Sequence, residues 1–504
     1  MSTSVAFTVL TVLSLFTLWW PSTCMAANVL AVQPLAARSH WTFMRAVLQT
    51  MVDSGHNVTV YTPFHSTGAD NFPSGVGYTE VPLKLAMPEL LGLDVLTSVR
   101  DFSDVWRFVP VGVWSSRSAC DIIAGLSLTG QYDLFVVELI SSECVSYLSR
   151  VLDVPLLYTF PSPMGSWMDD QVFGTNTNPS NTARLLARYG VPRTFAERLD
   201  NVHGQAVALA LHWLYEQTVE HEHRKPSVMF TNSDWTVEKH EPAPVNLIRV
   251  GGLHLSTPKR LPLDILEFIE NSPHGVIYFT FGSVVSMSTL PENLLNAFKE
   301  ALAQVPQRVL WKYEGEMKNK PANVMTSKWF PQRDILLHPN VKLFISHGGI
   351  SSVYEAVDAG VPVLGFPLFY DQPRNIANLV DAGMALSMDL FTVSKEPFLN
   401  AVLELINNQN YTINAKITSE RFKDRPMTPA ESVIYWTEYV LRHKGAPHLR
   451  SQALNLTWYQ YYLLDVIAAI LVILSVILYV IYKTLKVILQ FVLKRPNKLK
   501  SKSE

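Results

Sequence analysis

Short runs that are apolar on both alternations recur along this chain, separated by stretches in which apolar residues return every three or four positions. Residues 341–345 are apolar apart from Lys342, as a parallel strand covered on both faces should be. Ser346-His347-Gly348-Gly349 breaks that run with the residue type least hindered in backbone geometry. A helix is expected next: Ser351 or Ser352 supplies its N-cap, Val353, Ala356 and Val357 its buried face, and Gly360, just before Val361-Pro362, its end. Residues 361–366 are then the following strand. The same pattern opens the chain, with residues 28–32 as a strand, 33–40 as a turn and 41–54 as an amphipathic helix closed by Gly55. Residues 57–61 make the next strand and complete a βαβ unit. Further strands are expected at 132–139, 276–281 and 309–313, and helices at 194–222, 294–302 and 431–443. Residues 233–260, with Pro242, Pro244, Gly251-Gly252, Pro258 and Pro262 in or beside them, read as an extended connection between two α/β halves.

Both ends of the chain depart from this alternation. Residues 5–20 form an apolar run without a charge, followed by small residues at Ala26-Ala27, and read as a signal peptide spanning 1–27. Residues 466–482 are apolar and uncharged, and Leu463 and Leu464 extend them to a 463–482 span long enough to cross a bilayer at about 1.5 Å per residue. Trp458, Tyr459, Tyr461 and Tyr462 supply an interfacial belt. Lys483, Lys486, Lys494, Arg495, Lys498, Lys500 and Lys502 make the 483–504 tail basic, so the tail is expected in the cytosol and everything before the span in a lumen.

Length and composition narrow the field further. At 504 residues the chain is too long for one core. Its net charge of −2 argues against nucleic acid as a partner, because a phosphate backbone calls for a basic face. Of three cysteines, Cys24 leaves with the signal segment, and Cys120 and Cys144 are expected as buried free thiols rather than a disulfide. Asn57, Asn410 and Asn455 begin N-x-Thr sequons, the latter two being the better candidates for glycosylation because Asn57 falls in a strand.

The chemistry concentrates at two strand ends. A strand, a glycine-rich turn and a helix start put unpaired N–H groups and a positive dipole end at one point, which suits a phosphate or pyrophosphate. Glu355, one turn into that helix, is placed to accept two ribose hydroxyls, and Asp371-Gln372, after the following strand, to bond a second polyol. In the first half, His40 stands at the strand-to-helix turn and is the natural base, because imidazole is the side-chain type that ordinarily titrates nearest working pH. Glu138 stands near the end of another buried strand.

These residues carry a resemblance. HGGxxSxxEA from His347 to Ala356, the downstream GVPxxxxPxxxDQ and the WFPQ run of residues 329–332 are similar to the donor-binding signature of the UDP-glycosyltransferases. FGS at 281–283 resembles that family's phosphate-contacting turn, GGLH at 251–254 its domain boundary, and PLAARSHW the context of its catalytic His. The resemblance implies that Trp329 stacks on uracil and that Gln332 and Glu355 hold ribose. It gives the diphosphate to Ser283, His347, Gly349, Ser351 and Ser352, and the sugar to Asp371 and Gln372. His40 would be the base and Glu138 its orienting partner, where the family commonly has Asp.

It further implies two facing Rossmann-like domains of GT-B architecture, an acceptor domain at 28–245 and a UDP-sugar domain at 266–450, joined by a linker at 246–265. Residues 431–443 would cross back onto the first domain. No cofactor or metal is expected, the UDP-sugar being a co-substrate. Phe102, Trp106, Trp114, Trp167 and Met168 lie in an aromatic-rich stretch that suits a lipophilic acceptor. UDP-glucose is favoured over UDP-glucuronate because no basic residue is assignable to a uronate carboxylate. Lys500 and Lys502 resemble a retrieval signal of the endoplasmic reticulum membrane, and assembly with further copies of the chain is left open. Two other classes fit parts of the pattern: a sugar-nucleotide epimerase, which needs no lipophilic acceptor domain, and an inactive membrane-bound carrier of lipophilic ligands, which needs neither His40 nor Glu355.

Overall fold

The computed structural model describes residues 26–64, 77–83, 94–102, 130–140, 142, 145–164, 172–175, 178–216, 224–238 and 243–493. Residues 1–25 of the expected signal segment, with Cys24, and Trp106, Trp114, Cys120, Cys144, Trp167, Met168 and the tail from Lys494 lie outside the described residues, as does the side chain of Phe102. Residues up to Arg450 form one compact unit and those from Ser451 a second.

Among the described residues the first unit holds two sheets, each parallel throughout. Seven strands make the first: β1 (Asn28–Val32), β2 (Asn57–Thr62), β3 (Tyr78–Pro82), β4 (Leu134–Glu138), β5 (Leu156–Phe160), β6 (Val228–Thr231) and β7 (Leu247–Arg249). Six make the second: β8 (Val276–Thr280), β9 (Arg308–Lys312), β10 (Val324–Ser327), β11 (Val341–Ser346), β12 (Val363–Gly365) and β13 (Ala385–Ser387). The spatial orders are β3-β2-β1-β4-β5-β6-β7 and β10-β9-β8-β11-β12-β13. Each order reverses once, between β1 and β4 and between β8 and β11. At such a switch point the two flanking connections leave in opposite directions and open a crevice beyond the carboxyl ends of the strands.

Burial explains the doubly apolar runs. Along β1 and its neighbours, Val29, Ala31, Val136 and Leu157 enter one core while Leu30, Val32, Val137 and Tyr158 enter another on the opposite face. In the second sheet Phe279, Trp311 and Ile345 face one way and Tyr278, Leu310 and Phe344 the other. Phe279 and Trp311 stack with centroids 4.6 Å apart, and full burial of such a ring is worth about 1.5–3 kcal/mol. Lys342, the polar exception in its run, sits at a register shift between Val341 and Leu343 and is exposed.

Several boundaries differ from the sequence pattern. Helix α1 spans Arg38–Asp53, so His40 lies inside its first turn rather than in the preceding loop. Its N-cap is Ala37, which has no side-chain cap, and a start of that kind leaves no polar signal in the sequence. Within the expected linker, Leu247–Arg249 is a strand hydrogen-bonded to β6. It has only three residues and one buried side chain, Ile248, too short for a periodic signal. Helix α2 (Ile350–Ala359) is capped by Gly349, and neither Ser351 nor Ser352 is the cap. Gly360 closes it in the left-handed conformation, as expected. Helix α3 (Gln372–Asp381) follows β12, and α4 (Pro429–Arg442) returns to pack on α1, with Val433 and Val440 in the first-sheet core. The second unit contains α5 (Leu464–Leu493), among the described residues the one helix long and apolar enough to cross a membrane.

Candidate functional site

At the carboxyl ends of β8 and β11 the chain turns twice through glycine around a single imidazole. A Cβ added to Gly282, whose φ is +77°, would lie 2.6 Å from His347 Cε1, and one added to Gly349 would lie 2.7 Å from His347 Nε2. No side chain larger than hydrogen fits at either place while the ring stays where it is. Burial, and then the charge of Lys312, holds His347 near a pKa of about 4, so the ring is neutral at working pH. The first turn of α2 begins here without a side-chain cap, and its leading N–H groups have no intrahelical partners.

Around that helix start the expected residues converge. Gln332 Nε2 donates to Ser352 Oγ at 2.9 Å and to Glu355 Oε2 at 2.5 Å. Burial pushes the Glu355 carboxyl up to about 7, against the opposing hydrogen bond from Gln332. Trp329 exposes 67% of its surface on the wall of the same cavity, an unusual position for the largest apolar side chain. The Ser351 carbonyl lies 3.1 Å from His254 Nε2, so the GGLH run ties the connection between the sheets to the start of α2.

The loop after β12 supplies the next wall. Gln372 Oε1 accepts from the backbone N–H of Leu368 at 2.9 Å and of Phe369 at 3.2 Å. Asp371 accepts from Asn375 Nδ2 at 2.8 Å, and the same amide group donates to the Gly348 carbonyl. Burial raises the Asp371 carboxyl to about 6; Asn375 and the charge of His40 oppose the shift. Just before Asp371, Tyr370 holds φ of +57°, a conformation that costs a bulky residue energy and tends to persist where the surroundings fix it.

The first sheet contributes from its own switch point. His40 Nδ1 lies 2.9 Å from Glu138 Oε1. Glu138, at the end of β4, is 1% exposed, and its other oxygen accepts from Gln33 Nε2 at 3.0 Å. Gln33 in turn donates to the Leu35 carbonyl. With Nδ1 engaged, Nε2 is the ring nitrogen left for the cavity that His40 lines. Asp133 stands at the other end of the same strand, accepting from the Asn28 N–H at 2.8 Å.

One cavity of about 340 Å³ joins these parts. Its wall includes His40, Ser283, Trp329, Gln332, His347, Gly349, Ser351, Ser352, Glu355, Asp371 and Gln372. Glu138 alone among the expected residues stands behind the wall, one hydrogen bond from His40. Two participants carry no mark in the sequence. Gln33 follows β1 as an ordinary polar residue, and only pairing of β1 with β4 brings it to Glu138. Lys312, also on the wall, is ion-paired with Glu314, which further accepts from the Met287 N–H and Ser286 Oγ.

A model of the UDP-glucoronosyl and UDP-glucosyl transferase family matches residues 128–499. A UDP-glycosyltransferase of Dactylopius coccus, UGT5, is 36% identical over 493 residues, covering 93% of this chain and 94% of its own. Human UDP-glucuronosyltransferase 2B15 is 31% identical over 492 residues, covering 88% and 90%. Among solved structures, LpCGTa in complex with UDP superimposes with a TM-score of 0.56 at 18% identity over 83% of this chain and all of its own. The spinosyn forosaminyltransferase SpnP gives 0.57 at 17% identity, over 82% and 99%. At that identity the likeness is one of fold, two facing parallel α/β halves.

Proposed function

The chain belongs to the UDP-glucuronosyl and UDP-glucosyl transferase family and is a UDP-glycosyltransferase of GT-B fold, and from that premise we propose how its residues divide the reaction. His40 is the base and Glu138 its orienting partner. A hydroxyl of a small lipophilic acceptor gives its proton to His40 Nε2 as its oxygen attacks the anomeric carbon of the donor sugar. The bond to the β-phosphate oxygen breaks with inversion, and UDP leaves. Glu138 holds the imidazole in the tautomer with Nε2 unprotonated and stabilises the imidazolium that follows. The charge growing on the diphosphate meets the uncapped N–H groups of α2, the neutral His347 and Ser283. Gln332 and Glu355 hold the ribose, Trp329 covers the uracil, and Asp371 and Gln372 bond the sugar. The observation that carries this division is the single cavity into which the His40–Glu138 pair and the start of α2 both open.

The donor is read as UDP-glucose. Lys312 is the one lysine or arginine on that cavity wall among the described residues, and its charge is answered by Glu314. A uronate carboxylate would therefore find no spare cation, whereas a neutral hexose asks for none. Leu35, Ala37, Ile140 and Pro161 give the first-sheet wall around His40 its apolar part, beside the hydroxyls of Ser39, Thr42 and Ser162, which supports a phenol or sterol-like acceptor and a role in detoxification. The apolar α5 supports a single-pass anchor; the basic residues after it favour a cytosolic tail and a luminal catalytic unit, Lys500 and Lys502 residence in the endoplasmic reticulum, and the two sequons glycans at Asn410 or Asn455. Microsomes containing the chain, given labelled UDP-glucose or UDP-glucuronate and a panel of phenols and steroids, test the reading. Transfer from UDP-glucose is expected; transfer from UDP-glucuronate alone would overturn the donor assignment, and transfer from neither would overturn the acceptor class.

A further inference from the structure

The opposite, amino-terminal edge of the first sheet carries a second cavity, of about 1110 Å³, remote in topology from both switch points. Six cationic side chains line it against the three carboxylates of Asp133, Asp153 and Glu438. Two of those carboxylates are already engaged: Asp133 accepts from the Asn28 N–H, and Glu438 lies 3.2 Å from His56 Nε2 and 3.6 Å from Arg442. Among the described residues, and leaving Lys225 aside, Arg150, Arg224, Arg442, Lys444 and Arg450 still outnumber the three carboxylates, so the surplus is positive. Two polar atoms on the same wall are buried without a hydrogen-bond partner, Ser227 Oγ and Arg450 Nε, and Ser227 is wholly inaccessible in its side chain and backbone together. Such atoms are costly unless something answers them.

The wall also stores backbone strain. Lys444, Gly445 and Ala446 hold φ of +49°, +93° and +45° in succession, and two of the three are not glycine. A Cβ at Gly445 would stand 3.3 Å from Ser227 Oγ, so the strained turn brings the chain hard against that hydroxyl before it runs on to Arg450. Burial and the nearby Arg224 hold the Arg450 guanidinium below its usual range. Two guanidiniums that repel each other beside an unanswered hydroxyl are the complement of an oxyanion with several acceptor oxygens.

We infer that this cavity binds a phosphate-bearing ligand, with Arg224, Arg450 and Lys444 as its charge partners and Ser227 Oγ as a hydrogen-bond donor. Its volume exceeds that of inorganic phosphate, so the group is carried on a larger molecule or held with water. The phosphate has two sources: a lipid headgroup, since the chain beyond Arg450 leads into the apolar α5, or a soluble phosphate compound.

The test uses the full chain in detergent, saturated with UDP so that the first cavity is occupied. Inorganic phosphate and dihexanoyl phosphatidic acid are titrated separately while the unfolding temperature is followed, with dihexanoyl glycerol as the lipid lacking phosphate. Both phosphates should raise the unfolding temperature, dihexanoyl glycerol should not, and Arg450→Gln or Arg224→Gln should weaken the response about tenfold, as expected for loss of one charge-assisted bond. Tighter binding of phosphatidic acid than of phosphate assigns the lipid source, and equal binding the soluble one. If either half-buried variant fails to hold UDP, the exposed Lys444→Gln carries the comparison. No response to either phosphate, or the same response in wild type and in variants that still bind UDP, would overturn the inference.

Discussion

The contact between His40 Nδ1 and Glu138 Oε1 is the smallest unit on which the account depends. If Glu138 acts through the imidazole, Glu138→Gln should lower the turnover rate by about 10² to 10⁴, by analogy with the protease triad whose carboxylate was made an amide. The Michaelis constant for the donor should stay unchanged. Glu138→Asp should restore part of the rate, because it keeps the charge and shortens the reach by one methylene; equal loss in both variants would reduce Glu138 to a packing role. Glu355 permits a test by pH. Its carboxyl is raised to about 7 by burial, and only the ionised form accepts two ribose hydroxyls. Affinity for UDP-glucose should therefore plateau above about 7 and fall below it by up to tenfold per unit. Calorimetry across that range checks the sign, and Glu355→Gln should flatten the dependence. A wild-type curve that rises toward acid would contradict the assignment. His40, Glu138 and Glu355 were legible in the sequence because each stands at a strand end or helix start that its neighbours announce. Gln33 and Lys312 were not, since their roles arise from strand pairing and from Glu314 two residues along β9's exit.

At the scale of elements, strands were easier to read than the starts of helices. A strand buried on both faces must be apolar at consecutive positions, so β1, β4, β8 and β11 are visible in the sequence, whereas α1 and α2 begin on Ala37 and Gly349 without a polar cap. At α2 that lack has a structural reason: a larger residue at 349 would strike His347. Gly349→Ala should accordingly displace the ring and weaken UDP binding by about 1–3 kcal/mol, the scale of overpacking a filled site. Isothermal titration measures it. Unaltered UDP affinity would mean that His347 is not held by its glycine neighbours. The helix that was expected to return to the first half does so as α4, starting at Pro429 rather than 431, where Thr428 and Glu431 form a capping box by reciprocal bonds.

For the molecule as a whole, function follows from two order reversals placed face to face. Each sheet opens a crevice where its strand order turns, and the first brings the His40–Glu138 pair while the second brings the uncapped start of α2. The alternation of strands and helices made two α/β halves legible. It left β7 hidden, because a three-residue strand with one buried side chain has no period to detect. The division of labour between the halves is the central claim, and it predicts that the chemistry and the donor affinity separate. Measuring both in His40→Ala tests this most directly: transfer to a phenol acceptor should fall by at least about 10²-fold while UDP affinity stays within about twofold of wild type. Transfer at the wild-type rate, or a parallel loss of UDP binding, would contradict it.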